Sequence, residues 1–218
     1  VDDSLLDGSQ SSIVTISVVD QNTSDEFDAV ADQTVSVSTT DDDVAGFTIV
    51  EFEGSTEVNE SGDTDTFTVV LDAQPDSNVV VAISVSDSSE TSVNSPLTFT
   101  SANWDTAQVV TVTGVDDDII DGTINSTITV TIVDAISDDQ FDAVADQTVS
   151  VSTTDDDVAG FTVSETQGST EVDESGTTDI ITVVLNSQPA SDVVITVTSS
   201  DTGEAVSYTH LTLPTTHC

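Results

Sequence analysis

Apolar and polar residues alternate with a period of two along most of this chain. Gln108–Val115 reads QVVTVTGV, Thr127–Val133 reads TITVTIV and Gln147–Ser152 reads QTVSVS. An alternation of this kind puts one apolar face on a β-strand and has no helical counterpart. Further strands are expected at Gly46–Glu51, Thr64–Leu71, Asn78–Ser86 and Leu97–Thr100. Turn-forming clusters separate them: Glu60-Ser-Gly62, Gln74-Pro-Asp76, Ser95-Pro96 and Asp121-Gly122. No stretch shows convincing helical spacing.

The pattern repeats at domain length. Phe27–Thr48 (FDAVADQTVSVSTTDDDVAGFT) is identical to Phe141–Thr162, an offset of 114 residues. The offset holds without gaps in both directions, so that residues 1–91 correspond to 115–205 and residues 92–114 occur once. A unit of this size is a domain rather than a solenoid turn. With boundaries at the Asp-Asp-Asp runs, residues 1–43 are the C-terminal part of a unit, 44–157 a whole unit and 158–205 the N-terminal part of another. About seven short strands per unit predict an all-β fold of tandem immunoglobulin-like antiparallel β-sandwiches. Connections of a few residues imply a semi-rigid string of units.

Composition changes this picture in two ways. Acid-rich, low-complexity chains are commonly disordered, but the Val, Ile and Phe on one face of these strands supply a two-sheet core. The charge is extreme: 42 Asp and Glu, no Lys or Arg, and a formal net charge of −42. Nothing can neutralise phosphates, which excludes nucleic acid and anionic lipid as partners. No apolar run is long enough for a membrane-spanning helix, so direct membrane insertion is not expected. There is no Met and no signal-like segment, as expected of an internal piece of a longer protein.

Residues 206–218 are written in a different alphabet. They hold the only Tyr (Tyr208), both His (His210, His217) and the only Cys (Cys218). From Val206 to about Thr215 the segment resembles the in-frame translation of a transposon-end adapter used in DNA library preparation, so no fold or site is expected from it. The remainder has no His, Cys, Tyr, Met, Lys or Arg. Ser and Thr therefore lack a side chain to activate them as nucleophiles, and catalysis is not expected.

The acids cluster in loops. Asp116-Asp117-Asp118 and Asp121 follow one strand, Asp155-Asp156-Asp157 end another, and Glu60 and Asp87 lie in two further loops. They are either solvated turn residues on an acidic surface or ligands of a cation taken from solution. Ca²⁺ suits an all-oxygen donor set, whereas Zn²⁺ calls for His or Cys. Trp104, between two strands, either plugs one end of the core or offers a stacking platform for a sugar. The second option makes the units carbohydrate- or matrix-binding modules.

The order Glu60-Ser-Gly62, Ser86-Asp87, Val115-Asp-Asp-Asp-Ile-Ile-Asp121 and Asp155-Asp-Asp-Val-Ala-Gly160 resembles the Calx-beta domain. The resemblance spans the whole unit and both part-units. It implies a seven-stranded sandwich that binds Ca²⁺ at one tip, near the junction with the next domain. By this resemblance Glu60, Asp87, Asp116, Asp117, Asp121, Asp155, Asp156 and Asp157 ligate through carboxylates and Ile119 through its carbonyl. In the leading part-unit Asp2, Asp3, Asp7, Asp41, Asp42 and Asp43 match, and in the trailing one Glu174 and Asp201 match. Two departures qualify it. Ile124 stands where the family usually has a further acid, and Asp118 is Ser4 in the other copy. The expected function is a calcium-rigidified, non-catalytic repeat segment of a secreted or cell-surface protein, an adhesin-like spacer. Its expected partners are calcium ions, neighbouring repeats and a cell-surface or matrix ligand.

Overall fold

The computed structural model describes residues 3–19, 25–27, 29–205 and 210–213. Every element of length is a strand, and the rest are short 3₁₀ turns such as Phe52–Gly54 and Asp139–Phe141. In chain order the strands are β1 (Gln10–Ile16), β2 (Gln33–Thr39), β3 (Phe47–Glu51), β4 (Thr56–Asn59), β5 (Thr64–Leu71), β6 (Val79–Val85), β7 (Thr91–Val93) and β8 (Leu97–Phe99). They continue as β9 (Gln108–Gly114), β10 (Ile124–Ile132), β11 (Gln147–Thr154), β12 (Phe161–Glu165), β13 (Ile181–Leu185), β14 (Val193–Thr196) and β15 (His210–Leu213).

The central residues build a sandwich of two sheets, one of five strands in the order β4-β11-β10-β6-β8 and one of four in the order β3-β5-β9-β7. All pairings are antiparallel except β4 with β11. The period-two pattern fills the space between the sheets. Phe67, Val69 and Leu71 of β5 share one buried core with Val79 and Val81 of β6, Val110 and Val112 of β9, and Ile128 and Val130 of β10. Neighbours along each strand point outward, which is the geometric consequence of the pleat. Phe99 and Phe141 are fully buried in this core, and Trp104 packs against it partly buried.

Two strands of the central unit escape the sequence pattern, β4 and β7, because each carries a single apolar residue, Val58 or Val93, which cannot establish an alternation. Strand β10 also begins three residues earlier than the apolar run suggests, since Ile124–Ser126 extend the ladder to Thr153, Ser152 and Val151 of β11. Outside this unit β1 and β2 form a hairpin, and β12 pairs with β13. Contrary to the expectation for the last residues, His210–Leu213 pairs antiparallel with Val193–Thr196. Leu211-Thr212-Leu213 falls at the 114-residue offset of Leu97-Thr98-Phe99 and takes the same register on β14 that β8 takes on β6.

The leading segment docks onto the central unit through one loop. Leu5 bridges Gln74, the Leu6 N–H donates to the Gln74 carbonyl (3.3 Å) and the Gln74 N–H to the Ser4 carbonyl (2.7 Å). The Gln140 side chain donates to the Leu6 carbonyl (2.7 Å). Leu6 itself is 6% exposed and belongs to the core of the unit that follows it. The same device recurs downstream, where Ile119 bridges Gln188 and the Gln188 N–H donates to the Asp118 carbonyl (2.6 Å).

Candidate metal centre

The site lies where the ends of β4, β9 and β11 meet the loop before β7. Glu60 directly follows β4, and its N–H donates to the Thr154 carbonyl at the end of β11 (3.1 Å). Thr154 is followed by Asp155-Asp156-Asp157, so the parallel β4–β11 ladder sets Glu60 beside that run. Strand β9 closes from the other side. The Gly114 N–H donates to the Asp63 carbonyl (3.0 Å), and the Val115 N–H to the Glu90 carbonyl (2.9 Å). Only glycine permits this crossing, because a Cβ on Gly114 would sit 2.0 Å from the Asn59 carbonyl oxygen. Asp116, Asp117 and Asp118 follow at once.

Carboxylate oxygens of Glu60, Asp117 and Asp157 lie within 4.8 Å of one another, the one such acidic group among the described residues. Glu60 is 1% exposed, and Glu90 is buried beside it. Glu60 Oε2, Glu90 Oε2 and Asp157 Oδ2 are buried without a hydrogen-bond partner. The contrast with Asp138, a buried acid at another loop, is instructive. Its two oxygens accept from the Ser77 N–H (2.7 Å) and the Gln140 N–H (3.1 Å). Asp138 is satisfied by the chain; the Glu60 group is not.

Electrostatics follow from this geometry. Loss of solvent, then the charges of Asp155, Glu90, Asp117 and Asp121, push Glu60 up to about 7. Glu90 is raised by burial and by Asp121, Asp87 and Asp117. Asp157 is raised chiefly by loss of solvent, with Asp118, Asp155 and Asp156 adding to it. Asp155 behaves oppositely. Its carboxylate accepts from the N–H groups of Gly122 (2.8 Å), Asp157 (2.7 Å) and Asp121 (3.0 Å), and these bonds hold its pKa low. Asp155 is therefore a fastener that ties the Asp121-Gly122 turn to the end of β11.

The remaining sequence candidates occupy distinct places. Asp87 accepts from the Ser89 hydroxyl and N–H, which lower its pKa, and its charge reaches Glu90. Asp121 is exposed and acts on Glu60 and Glu90 through its charge. Asp116 and Asp156 are exposed. Asp117 Oδ1 accepts the Ile119 N–H (2.6 Å), and Ile119 lies in the bridge to the following segment. In the leading segment Asp41 repeats the Asp155 arrangement, accepting from Gly8 (2.7 Å) and Asp43 (2.9 Å), while Asp3 accepts from Leu5 (3.1 Å). Asp7 and Asp42 are exposed, Asp43 is half-buried, and Asp2 lies outside the described residues. Glu174, the counterpart of Glu60, is exposed, and Asp201 accepts the Gly203 N–H (2.9 Å). Glu90 is the residue that sequence reasoning missed. Its signal was its recurrence as Glu204 at the same offset, three residues beyond an acid already singled out.

The fold defines an all-β protein of antiparallel sandwich architecture, with an acidic cluster at one tip of its central sandwich. No family model matches the chain, and no curated protein matches it. Among solved structures it is similar to a Bacteroides ovatus GH5 xyloglucanase in complex with a XXXG heptasaccharide (17% identity, TM-score 0.34), covering 50% of this chain and 18% of that one. It is similar to the apo-form Calx CBD1 domain (16% identity, TM-score 0.37), covering 51% of this chain and 98% of that one. It is also similar to CBD12 from CALX1.2 (17% identity, TM-score 0.36), covering 50% of this chain and 44% of that one. At these values the likenesses assign no function to the chain.

Proposed function

We propose that this chain is a non-catalytic, calcium-binding segment of repeated β-sandwich units, a calcium-stiffened spacer of a secreted or cell-surface protein. One observation carries the proposal: the fully buried Glu60 carboxylate, with its unpartnered oxygen, converges with Asp117 and Asp157 in a chain that has no Lys or Arg. Buried carboxylates without a counter-charge are costly, and a divalent cation removes that cost. The donor set fits a hard ion. Every candidate ligand is an oxygen, and three carboxylates are within reach of one another.

Glu60, Asp117 and Asp157 would hold the ion, with Glu90 alongside. Asp155 orients the Asp121-Gly122 turn around them. A bound cation would supply only charge neutralisation and cross-linking of loops. The Asp117 loop also carries Asp118 and Ile119, which pair with Gln188 of the following segment, so stiffening the site stiffens the joint. Calcium sites of extracellular modules work at about 10⁻⁴–10⁻³ M, which suits a secreted setting. Among the described residues no helix is long and apolar enough to cross a membrane.

The test is unfolding of the 218-residue chain followed by the fluorescence of Trp104, its only tryptophan, in chelator and in millimolar Ca²⁺. A hundredfold excess over the dissociation constant should add about 2.7 kcal/mol. Identical transitions in the two conditions would overturn the proposal.

A further inference from the structure

Among the aromatic residues of the central sandwich, Phe47, Phe67, Phe99 and Phe141 are buried and Trp104 partly so, but Phe52 is 63% exposed. It stands on the Phe52–Gly54 turn, where the chain leaves β3 of one sheet for β4 of the other. The turn itself does not require it. At the 114-residue offset Thr166-Gln167-Gly168 forms the same turn, with φ 58° at Gln167 against 56° at Glu53. Val50, exposed on β3, likewise has Ser164 as its counterpart. Packing therefore accounts for neither exposed apolar side chain. Phe52 is one wall of an open cleft of about 440 Å³, whose other walls include Glu53, Ser55, Glu57, Asp65 and Thr66. Asp65 frames it, since its carboxylate accepts from the N–H groups of Glu57 (2.9 Å) and Thr66 (2.6 Å) and so ties β4 to β5. Asp179 repeats the frame, accepting from Glu171 (3.0 Å) and Ile180 (2.7 Å). Glu53 and Glu57 are exposed, and the chain has no Lys or Arg to neutralise them.

We propose that this cleft is a docking site for an arginine side chain carried on a surface segment of a partner protein. Charge and shape select the occupant. A metal ion does not fit, because the acids here do not converge: among the described residues the group with carboxylate oxygens within 4.8 Å of one another is that of Glu60, Asp117 and Asp157. A neutral sugar would stack on Phe52 but leave Glu53 and Glu57 uncompensated. A second copy of the chain has no basic side chain to offer. A guanidinium is broad, flat and cationic, so it stacks on an aromatic face and donates in a fork to a carboxylate. Its apolar stem covers the rest of the ring. The residues beside that arginine also find a footing. Val50, Thr68 and Val109 lie in one row across β3, β5 and β9, with both valines exposed. The cleft shares no residue with the metal centre.

The test is an NMR titration of the whole chain with the peptide acetyl-Gly-Arg-Val-Gly-amide, in chelator and about 0.1 M NaCl, where distant charges are screened. The Phe52 ring and the amides of Glu53, Glu57 and Thr66 should shift and saturate. The same peptide with citrulline for arginine, neutral and nearly the same shape, should bind about tenfold more weakly. A chain with Phe52→Thr and Glu53→Gln carries the turn of the trailing copy. It should lose binding to a similar extent and keep its Trp104 unfolding transition. Asp76→Asn, which removes one exposed charge outside the cleft, should bind as the native chain does. Shifts scattered over the acidic surface without saturation at the cleft, equal binding of the citrulline peptide, or undiminished binding by the doubly substituted chain would each overturn the proposal. So would free arginine binding as tightly as the peptide, or cellotetraose binding the cleft more tightly. Every chain keeps all residues of the metal centre and no calcium is present, so these outcomes are independent of the calcium reading.

Discussion

Replacing Glu60 by Gln should stabilise the calcium-free protein at neutral pH, a result opposite to that of most substitutions at a buried position. The carboxyl of Glu60 is displaced from an ordinary 4.5 up to about 7, which makes its raised pKa a statement about stability. Between these values the folded chain holds a proton that the unfolded chain has released. Stability from this group is thus fully present below about pH 4.5 and is lost as pH rises through about 7. A displacement of this size corresponds to at most about 3 kcal/mol, and water around the loop tip screens part of it. The neutral amide removes the titration while keeping the shape, and it can donate to the neighbouring carboxylates. In chelator, urea unfolding followed by Trp104 should show the native chain losing up to ~3 kcal/mol between about pH 5 and 8 relative to the Glu60→Gln chain. In excess calcium the native chain should recover, and the variant should gain less. Because both chains share every other acid, the difference between the two pH curves isolates Glu60. Parallel curves in chelator would refute the picture of a desolvated, mutually repelling cluster.

Other outcomes follow from the same geometry. Gly114→Ala should destabilise the central unit by several kcal/mol in urea unfolding, since its Cβ would meet the Asn59 backbone at 2.0 Å and β9 cannot withdraw without losing its ladder to β5. Leu6→Ala should lower the stability reported by Trp104 by about 2–5 kcal/mol, although Leu6 lies in the segment that precedes the central unit, because it is part of that unit's core. Thr153→Val should cost about 1–3 kcal/mol in the same unfolding assay by weakening the pairing of the buried Thr91 hydroxyl, which lies 3.0 Å from the Thr153 hydroxyl. Glu174→Gln should leave a calorimetric calcium titration of the chain unchanged, because Glu174 is exposed and has no acidic group around it like that of Glu60 among the described residues.

The strands of the central unit were legible because a half-buried sheet forces alternation, and most of them announce themselves in this way. Strands β4 and β7 did not, since each has one apolar residue, Val58 or Val93, and pairs through tertiary contact rather than pattern. The loops were legible for a different reason. Aspartate two residues before a backbone N–H makes its own turn, so Asp41 and Asp155 hold the same local bonds in two separate settings.

What the sequence by itself determined is the repeat, the all-β character, the acid-only charge and the placing of acids in loops. All of these depend on near neighbours along the chain and on counts. What only the tertiary structure decided is which acids are deprived of water. Glu60 and Glu174 share the Glu-Ser-Gly context and stand at equivalent positions, yet one is buried and the other exposed. The difference comes from residues far away in sequence. Gly114 and Val115 press β9 against the Glu60 turn, and Glu90, Asp117 and Asp157 arrive from three other loops. Within this sequence the trailing segment has no counterpart of β9 to do the same. Desolvation is a property of everything packed around a group, so no local motif can specify it.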